Sequence, residues 1–183
     1  MKRFLIITVG KTHSGKTKEL EQQLHNSLVI DQDNHAEFIN TYYKTLMPEQ
    51  GPYTFKYAVT QTIVNYAVNQ TDFHLILCNS NRHRKNRLDL LEKFHNQGFI
   101  SILVNFDIPD CVLMERIAKS QRSTTVIRGA SNFEEVLILQ QAESQDDNVI
   151  APAEGEADYS FVIKDSNEVQ SINQEITNIA QSL

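Results

Sequence analysis

No apolar run in this 183-residue chain is long enough for a membrane-spanning helix. Met1-Lys2-Arg3 leads into a stretch too short and too strand-like for a signal peptide. Cysteine is scarce. Cys78 and Cys111 both lie in apolar sequence without metal-ligand spacing, which excludes a disulfide framework and predicts two reduced core residues in a cytoplasmic protein. The histidines (His13, His25, His35, His74, His83 and His95) show no zinc spacing with them. Positive charge is also short, with 17 basic against 23 acidic residues and a net charge of −6. Long-range attraction to nucleic acid is therefore disfavoured, although a local basic patch is compatible with that balance. There is no internal repeat and no low-complexity linker. The length suits a single domain over 1–183 with a real hydrophobic core.

Gly10-Lys11-Thr12-His13-Ser14-Gly15-Lys16-Thr17, by contrast, matches every position of the phosphate-binding pattern G-x-x-x-x-G-K-[ST]. Its flanks agree with its letters. Phe4 to Val9 is an apolar run of one buried strand's length, and Lys18 to Leu24 has strong helix formers with leucines four apart. In such a strand–turn–helix setting, backbone N–H groups and the helix N-terminus wrap the phosphates of a nucleotide. Lys16 would bring a cation to the β- and γ-phosphates, and Thr17 a hydroxyl to Mg²⁺. The pattern implies binding of a nucleoside triphosphate, ATP with Mg²⁺.

Strand and helix signals then alternate to the end. Strands are predicted at Leu28–Ile30, Phe73–Cys78, Phe99–Val104 and Tyr159–Ile163. Helices are predicted at Asn34–Met47, stopped by Pro48, and at Thr54–Asn69 with an apolar face of Phe55, Ala58, Val59, Ile63, Tyr66 and Ala67. Further helices are expected at Arg84–Gln97, closed by Gly98, at Pro109–Ser120, around Phe133–Gln141, and at Asn167–Leu183. Alternation without hairpin signals implies a parallel sheet with right-handed crossovers and ligands at the carboxyl ends of its strands.

Four segments together resemble the P-loop kinases of the polynucleotide-kinase and zeta-toxin type, small kinases akin to AAA-family ATPases. They are Gly10–Thr17; Val29-Ile30-Asp31-Gln32-Asp33; Leu75–Asn81 with Arg84, Lys85 and Arg87; and Val104–Pro109 leading into Met114–Lys119. A weaker fifth is Pro152, Glu154 and Gly155 before the last strand. The resemblance implies a three-layer αβα fold whose five parallel strands run in the order 2-3-1-4-5. It also implies transfer of the γ-phosphoryl group of ATP to a hydroxyl.

Carried over residue by residue, the resemblance makes Asp33 the carboxylate that accepts the hydroxyl proton, with Asp31 two residues away. A catalytic carboxylate must reach that proton, and either aspartate could do so; Asp33 could equally serve as the N-cap of its helix. The family's acidic residue after the third strand is Asn79 here, a weaker magnesium ligand, which shifts the metal role toward Thr17 and Asp31. Arg116 matches an arginine that faces the nucleotide. The second lid arginine is replaced by Ser120, and Arg122, with Arg128 beyond it, lies in a lid segment of about 119–131. Arg122 is the chosen partner for the transferring phosphoryl, against the plainer reading of a solvated loop arginine.

Other features are double-edged. Arg82-His83-Arg84-Lys85 with Arg87 could hold an anion or simply be a solvated helix start. His13 is expected to face solvent or the base. Tyr42, Tyr43, Tyr53 and Phe55 could stack on an acceptor or pack in the core. Three functions remain open: a small-molecule kinase, a polynucleotide kinase, and a nucleotide-binding module or NTPase with weakened catalysis.

Overall fold

The computed structural model describes residues 2–15, 20, 23–48, 53–127 and 129–182. Five strands form one parallel sheet: β1 (Arg3–Gly10), β2 (Ser27–Ile30), β3 (His74–Leu77), β4 (Phe99–Phe106) and β5 (Tyr159–Ile163). Their order is β2-β3-β1-β4-β5, as expected. Strand β1 pairs with β4 along its whole length and with β3 over Leu5–Ile7, with Ile7 opposite both Leu77 and Leu103. A strand flanked on both sides and covered on both faces has no polar face, which is why Phe4–Val9 reads as an apolar run broken only by the buried Thr8.

Side-chain alternation along that run divides the core. Phe4 and Ile6 point with Ile76, Ile102 and Val104 toward Leu20, Leu24, Leu113, Leu137 and Ile176. Leu5, Ile7 and Val9 point with Leu75, Leu77 and Leu103 toward Val64, Ala67, Leu91 and Phe94. The α-helices of the described residues are α1 (Gln32–Tyr42), α2 (Thr54–Gln70), α3 (Arg84–His95), α4 (Asp110–Ala118), α5 (Phe133–Glu143) and α6 (Val169–Ser182). Helices α2 and α3 cover one face; α4, α5 and α6 cover the other. Among the described residues, no helix is long and apolar enough to cross a membrane.

Several local expectations need correction. The helix expected over Asn34–Met47 begins earlier, because the Asp31 side chain caps the Asp33 amide and starts α1 at Gln32. It stops at Tyr42, and a short 3₁₀ turn, Lys44–Leu46, follows. On α2 the buried residues are Thr60, Val64, Ala67 and Val68, whereas Tyr66 is 68% exposed. Apolar residues occur on more than one side of this helix, so the sheet rather than the periodicity selects the buried stripe. Cys78 is buried as expected, but Cys111 is exposed in the first turn of α4. That helix ends at Ala118, and α6 begins at Val169 behind a 3₁₀ turn closed by an Asp165–Glu168 capping box.

Two members of the basic cluster after β3, Arg82 and Arg87, turn inward, while His83, Arg84 and Lys85 are exposed. Arg87 is fully buried and forks onto the equally buried Glu156 carboxylate, at 2.7 Å and 3.3 Å. Its remaining nitrogen donates to the carbonyls of Asn81 and Arg82. Arg82 reaches Glu143 at 3.1 Å, together with the Gln140 carbonyl and the Ser144 hydroxyl at the end of α5. A cation there also meets the negative end of the helix dipole. Neither side chain is placed to hold an external anion.

Removing one member of a desolvated pair strands the other charge. Arg87→Ala is expected to cost about 3–5 kcal/mol. Arg84→Ala should cost less than about 1 kcal/mol, because Arg84 is half exposed and 4.0 Å from the same carboxylate. Urea unfolding of both variants measures the contrast.

Candidate nucleotide site

Strand β1 ends in a turn that only glycine fits. Gly10 has φ +153°, and a β-carbon there would lie 2.9 Å from Ser14 Oγ and 3.1 Å from both Cβ and O of Phe106. Its amide donates to the Ser80 carbonyl at 3.0 Å, tying the loop entrance to the turn after β3. Gly15 has φ +94° and is exposed, so its backbone can be approached closely. Between them, Ser14 is buried and its Oγ has no hydrogen-bond partner among the described residues. An orphaned hydroxyl behind an exposed glycine turn suits a phosphate group, and the ATP expected from the sequence fits these residues. Lys16 and Thr17 lie outside the described residues, as does Arg128.

The loop is held from outside by α4 and α5. Lys11 Nζ lies 2.6 Å from Asp110 Oδ1, and Gln141 donates to the other oxygen of that carboxylate. Burial pushes the Asp110 carboxyl up, but hydrogen bonds from Lys11 and Gln141 and the charges of Lys11 and Arg82 bring it below its ordinary value. The Thr12 amide donates to Gln140 Oε1 at 2.8 Å. His13, at φ +58°, packs edge-on to Phe133 with ring centroids 4.7 Å apart. The expected solvent- or base-facing histidine is therefore partly committed to an aromatic contact. Arg116 donates to the His13 carbonyl at 3.0 Å and to Ser166 Oγ at 2.5 Å. It sits on the loop, and a Gly15 β-carbon would be 3.7 Å from its guanidinium.

The two aspartates after β2 have separate tasks. Asp31 Oδ1 accepts the Asp33 amide at 2.9 Å, so Asp31 rather than Asp33 is the N-cap. Burial raises the Asp31 carboxyl above its ordinary value and the Asp33 charge adds to this; the Asp33 amide, Arg122 and His35 oppose the shift. Nearby His35 is held below its ordinary value mainly by burial, and its ring meets Thr60 Oγ1 at 2.8 Å. Asp33, free of the capping role, forms an ion pair with Arg122 across 89 residues of sequence.

Arg122 is the junction. Its guanidinium carbon stands 5.1 Å from the centroid of the Phe133 ring that also receives His13. The backbone turn that delivers it is shaped by Ser120, whose hydroxyl accepts the Arg122 amide at 3.1 Å. Beyond it, the 3₁₀ turn Thr124–Val126 rests on α1, where Asn40 donates to the Thr125 carbonyl and Val126 packs against the Ala36, Ile39 and Tyr53 cluster.

The remaining residues fall away from this centre. Tyr53 is buried, whereas Tyr42 and Tyr43 are exposed. Arg84 and Lys85 line a cleft of about 310 Å³ that shares no residue with the phosphate loop. Asp89 and Asp147 line the same cleft. No cluster of three or more His, Cys, Asp or Glu residues able to hold a metal occurs among the described residues. Sequence reasoning missed Glu156, because Glu154 two residues earlier offers the same letters. It also missed Gln140 and Phe133, which carry no motif at all.

No protein-family profile and no curated protein matches the chain. Solved structures do. A protein from Chloroflexus aurantiacus described as a candidate kinase aligns with TM-score 0.60 and 20% identity, over 99% of this chain and 97% of that one. Shikimate kinase from Bacteroides thetaiotaomicron aligns with TM-score 0.57 and 17% identity, over 97% and 98%. APS kinase from Mycobacterium tuberculosis, in complex with AMPPNP and APS, aligns with TM-score 0.55 and 16% identity, over 98% of each. The chain has the P-loop kinase fold.

A methyl group at the loop entrance tests the geometry. Gly10→Ala should cost about 1–3 kcal/mol in backbone strain and abolish ATP–Mg²⁺ binding, read by urea unfolding and titration calorimetry respectively.

Proposed function

We propose that the protein is an ATP-dependent kinase that transfers the γ-phosphoryl group of ATP to a hydroxyl of a small molecule. One observation carries this reading. Arg122 joins the carboxylate of Asp33 to the aromatic ring packed on the phosphate loop, so one cation spans the proposed proton acceptor and the donor site. Phosphoryl transfer needs those parts together: an oriented hydroxyl, a carboxylate for its proton, and positive charge for the phosphoryl oxygens.

In the proposed reaction the acceptor oxygen attacks the γ-phosphorus, and the bond to the β–γ bridging oxygen breaks. ADP leaves, and the hydroxyl proton passes to Asp33. Lys16 would supply charge at the phosphates, and Thr17 and Asp31 would hold the Mg²⁺ that offsets phosphate charge when bound. Lys11, Thr12, His13, Ser14 and Gly15 form the loop around the phosphates. Arg116 steadies that loop through the His13 carbonyl. Arg122, in the lid segment of about 119–131, meets the transferring charge.

The small-molecule acceptor is favoured by charge. Net charge is −6, and Arg82 and Arg87 of the basic cluster are turned inward onto Glu143 and Glu156. APS kinase and shikimate kinase, which share the fold, are named for small acceptors. The sequence's likeness to polynucleotide-kinase and zeta-toxin type kinases is kept within this reading for the order of its segments. Asn79, in place of a carboxylate, favours a second reading, an ATP-binding module without transfer.

Incubation with labelled ATP–Mg²⁺ and pooled hydroxyl acceptors, oligonucleotides included, separates the readings. A labelled small molecule is expected; labelled oligonucleotide ends would move the acceptor class to nucleic acid. ATP binding with no labelled product would select the second reading. Lys16→Ala should lose ATP–Mg²⁺ affinity in calorimetry with its melting temperature retained. Asp33→Asn should keep that affinity and lower turnover by about 10²–10⁴-fold. If Asp31→Asn shows this pattern instead, the proton acceptor lies two residues earlier.

A further inference from the structure

Resting on the kinase reading, we propose that Phe133 is a positioning residue whose ring carries the Arg122 guanidinium, thereby coupling the phosphate loop to the lid cation.

The neighbourhood of Arg122 explains why such a support is needed. Both members of its ion pair are well exposed, with 38% of the Arg122 side chain and 43% of the Asp33 side chain accessible. Exposed pairs of this kind contribute little to holding two side chains in one geometry, because water and salt screen them. An arginine stem on a loop also retains most of its rotamer freedom. Something must restrict it if a guanidinium is to meet phosphoryl oxygens at a defined place.

Phe133 supplies that restriction from a rigid base. It is 8% exposed and is the first residue of α5. Its start is set by Asn132, whose side chain accepts the Glu135 amide at 2.9 Å. The same helix anchors the loop through Gln140 at Thr12 and Gln141 at Asp110. An aromatic face attracts a planar guanidinium and limits it to sliding in one plane. The 5.1 Å stacking distance places Arg122 on the same ring that receives the edge of His13 at 4.7 Å. A shift of His13 within the loop is therefore felt by the ring on which Arg122 rests, so loop and lid cation share one support.

The test replaces the ring while keeping the apolar volume. Phe133→Leu and Phe133→Met both fill the site without an aromatic face, and Phe133→Tyr restores one. Expected for the first two is a fall in kcat of about 10- to 100-fold, with KM for ATP within about twofold and the melting temperature retained. Phe133→Tyr should recover most of the rate. A second readout needs no activity. In the unaltered protein the Arg122 Nε–Hε resonance should be displaced by the ring current from those of exposed arginines, and it should return to them in Phe133→Leu or Phe133→Met. Wild-type Arg122 resonating with the exposed arginines would overturn the proposal, as would ringless variants that retain full turnover. Loss of ATP affinity in proportion to loss of kcat would also overturn it, by making Phe133 part of ground-state binding. A wild-type protein that phosphorylates no acceptor defeats the kinase reading alone, and the resonance still decides where Arg122 is held.

Discussion

A charge pair removed from water organises the centre of this molecule. Arg87 has no exposed side-chain surface, so every one of its donors must be met inside the protein. Glu156 takes two of them and the Asn81 and Arg82 carbonyls take two more, so each of the three guanidinium nitrogens has a partner. Burial pushes the Glu156 carboxyl up, yet the Arg87 hydrogen bond, the Ala153 amide and the charges of Arg87 and Arg84 leave it below its ordinary value and ionised. The turn fixed in this way grips the central strand. Asn81 Nδ2 donates to the Thr8 carbonyl at 2.9 Å, and the Ser80 carbonyl accepts the Gly10 amide. The approach to β5, the turn after β3 and the entrance of the phosphate loop thus share one constraint. Its strength comes from the cost of leaving either ion alone, since burying the pair is itself expensive.

From that entrance outward, α5 performs most of the remaining positioning. Its first turn holds Phe133 beside His13, and its last turn places Gln140 and Gln141 on the Thr12 amide and Asp110. Arg82 closes the helix end and connects it back to the turn after β3. The loop is therefore clamped between two structures that meet through one arginine. Lid and acceptor side approach from the other direction: the 3₁₀ turn at Thr124–Val126 packs on α1, whose start is set by Asp31. Because Asp31 takes the capping duty, Asp33 is available to pair with Arg122. Two aspartates of identical local sequence character are separated by helix geometry alone.

Much of the fold was legible because its signals are local. A strand buried on both faces needs mostly apolar residues, and Phe4–Val9 and Phe99–Val104 show them, broken only by Thr8 and Ser101. The Gly10–Thr17 spacing carries its own geometry, since Gly10 at φ +153° and Gly15 at φ +94° occupy conformations other residues avoid. Local reasoning failed where more than one face could be buried. The stripe on α2 through Val64 and Ala67 was chosen by contact with the sheet, and the exposed Cys111 by the side on which α4 packs. For the candidate site, the sequence singled out Asp33, Arg116 and Arg122 but carried no sign that Arg122 would meet Asp33.

The strand–helix alternation and the phosphate loop follow from the residue order, for these depend on residue type and spacing within a few positions. With the family resemblance the sequence also led to the strand order and the two candidate aspartates. Tertiary packing alone established that Glu156 rather than Glu154 meets Arg87, that Arg82 and Arg87 turn inward while Arg84 and Lys85 stay exposed, and that Phe133 stands between His13 and Arg122. The physical reason is distance along the chain. Pairings such as Arg87 with Glu156 and Asp33 with Arg122 join residues 69 and 89 positions apart. Their partners are selected by how the helices pack on a finished sheet, where identical letters differ only in the direction they face.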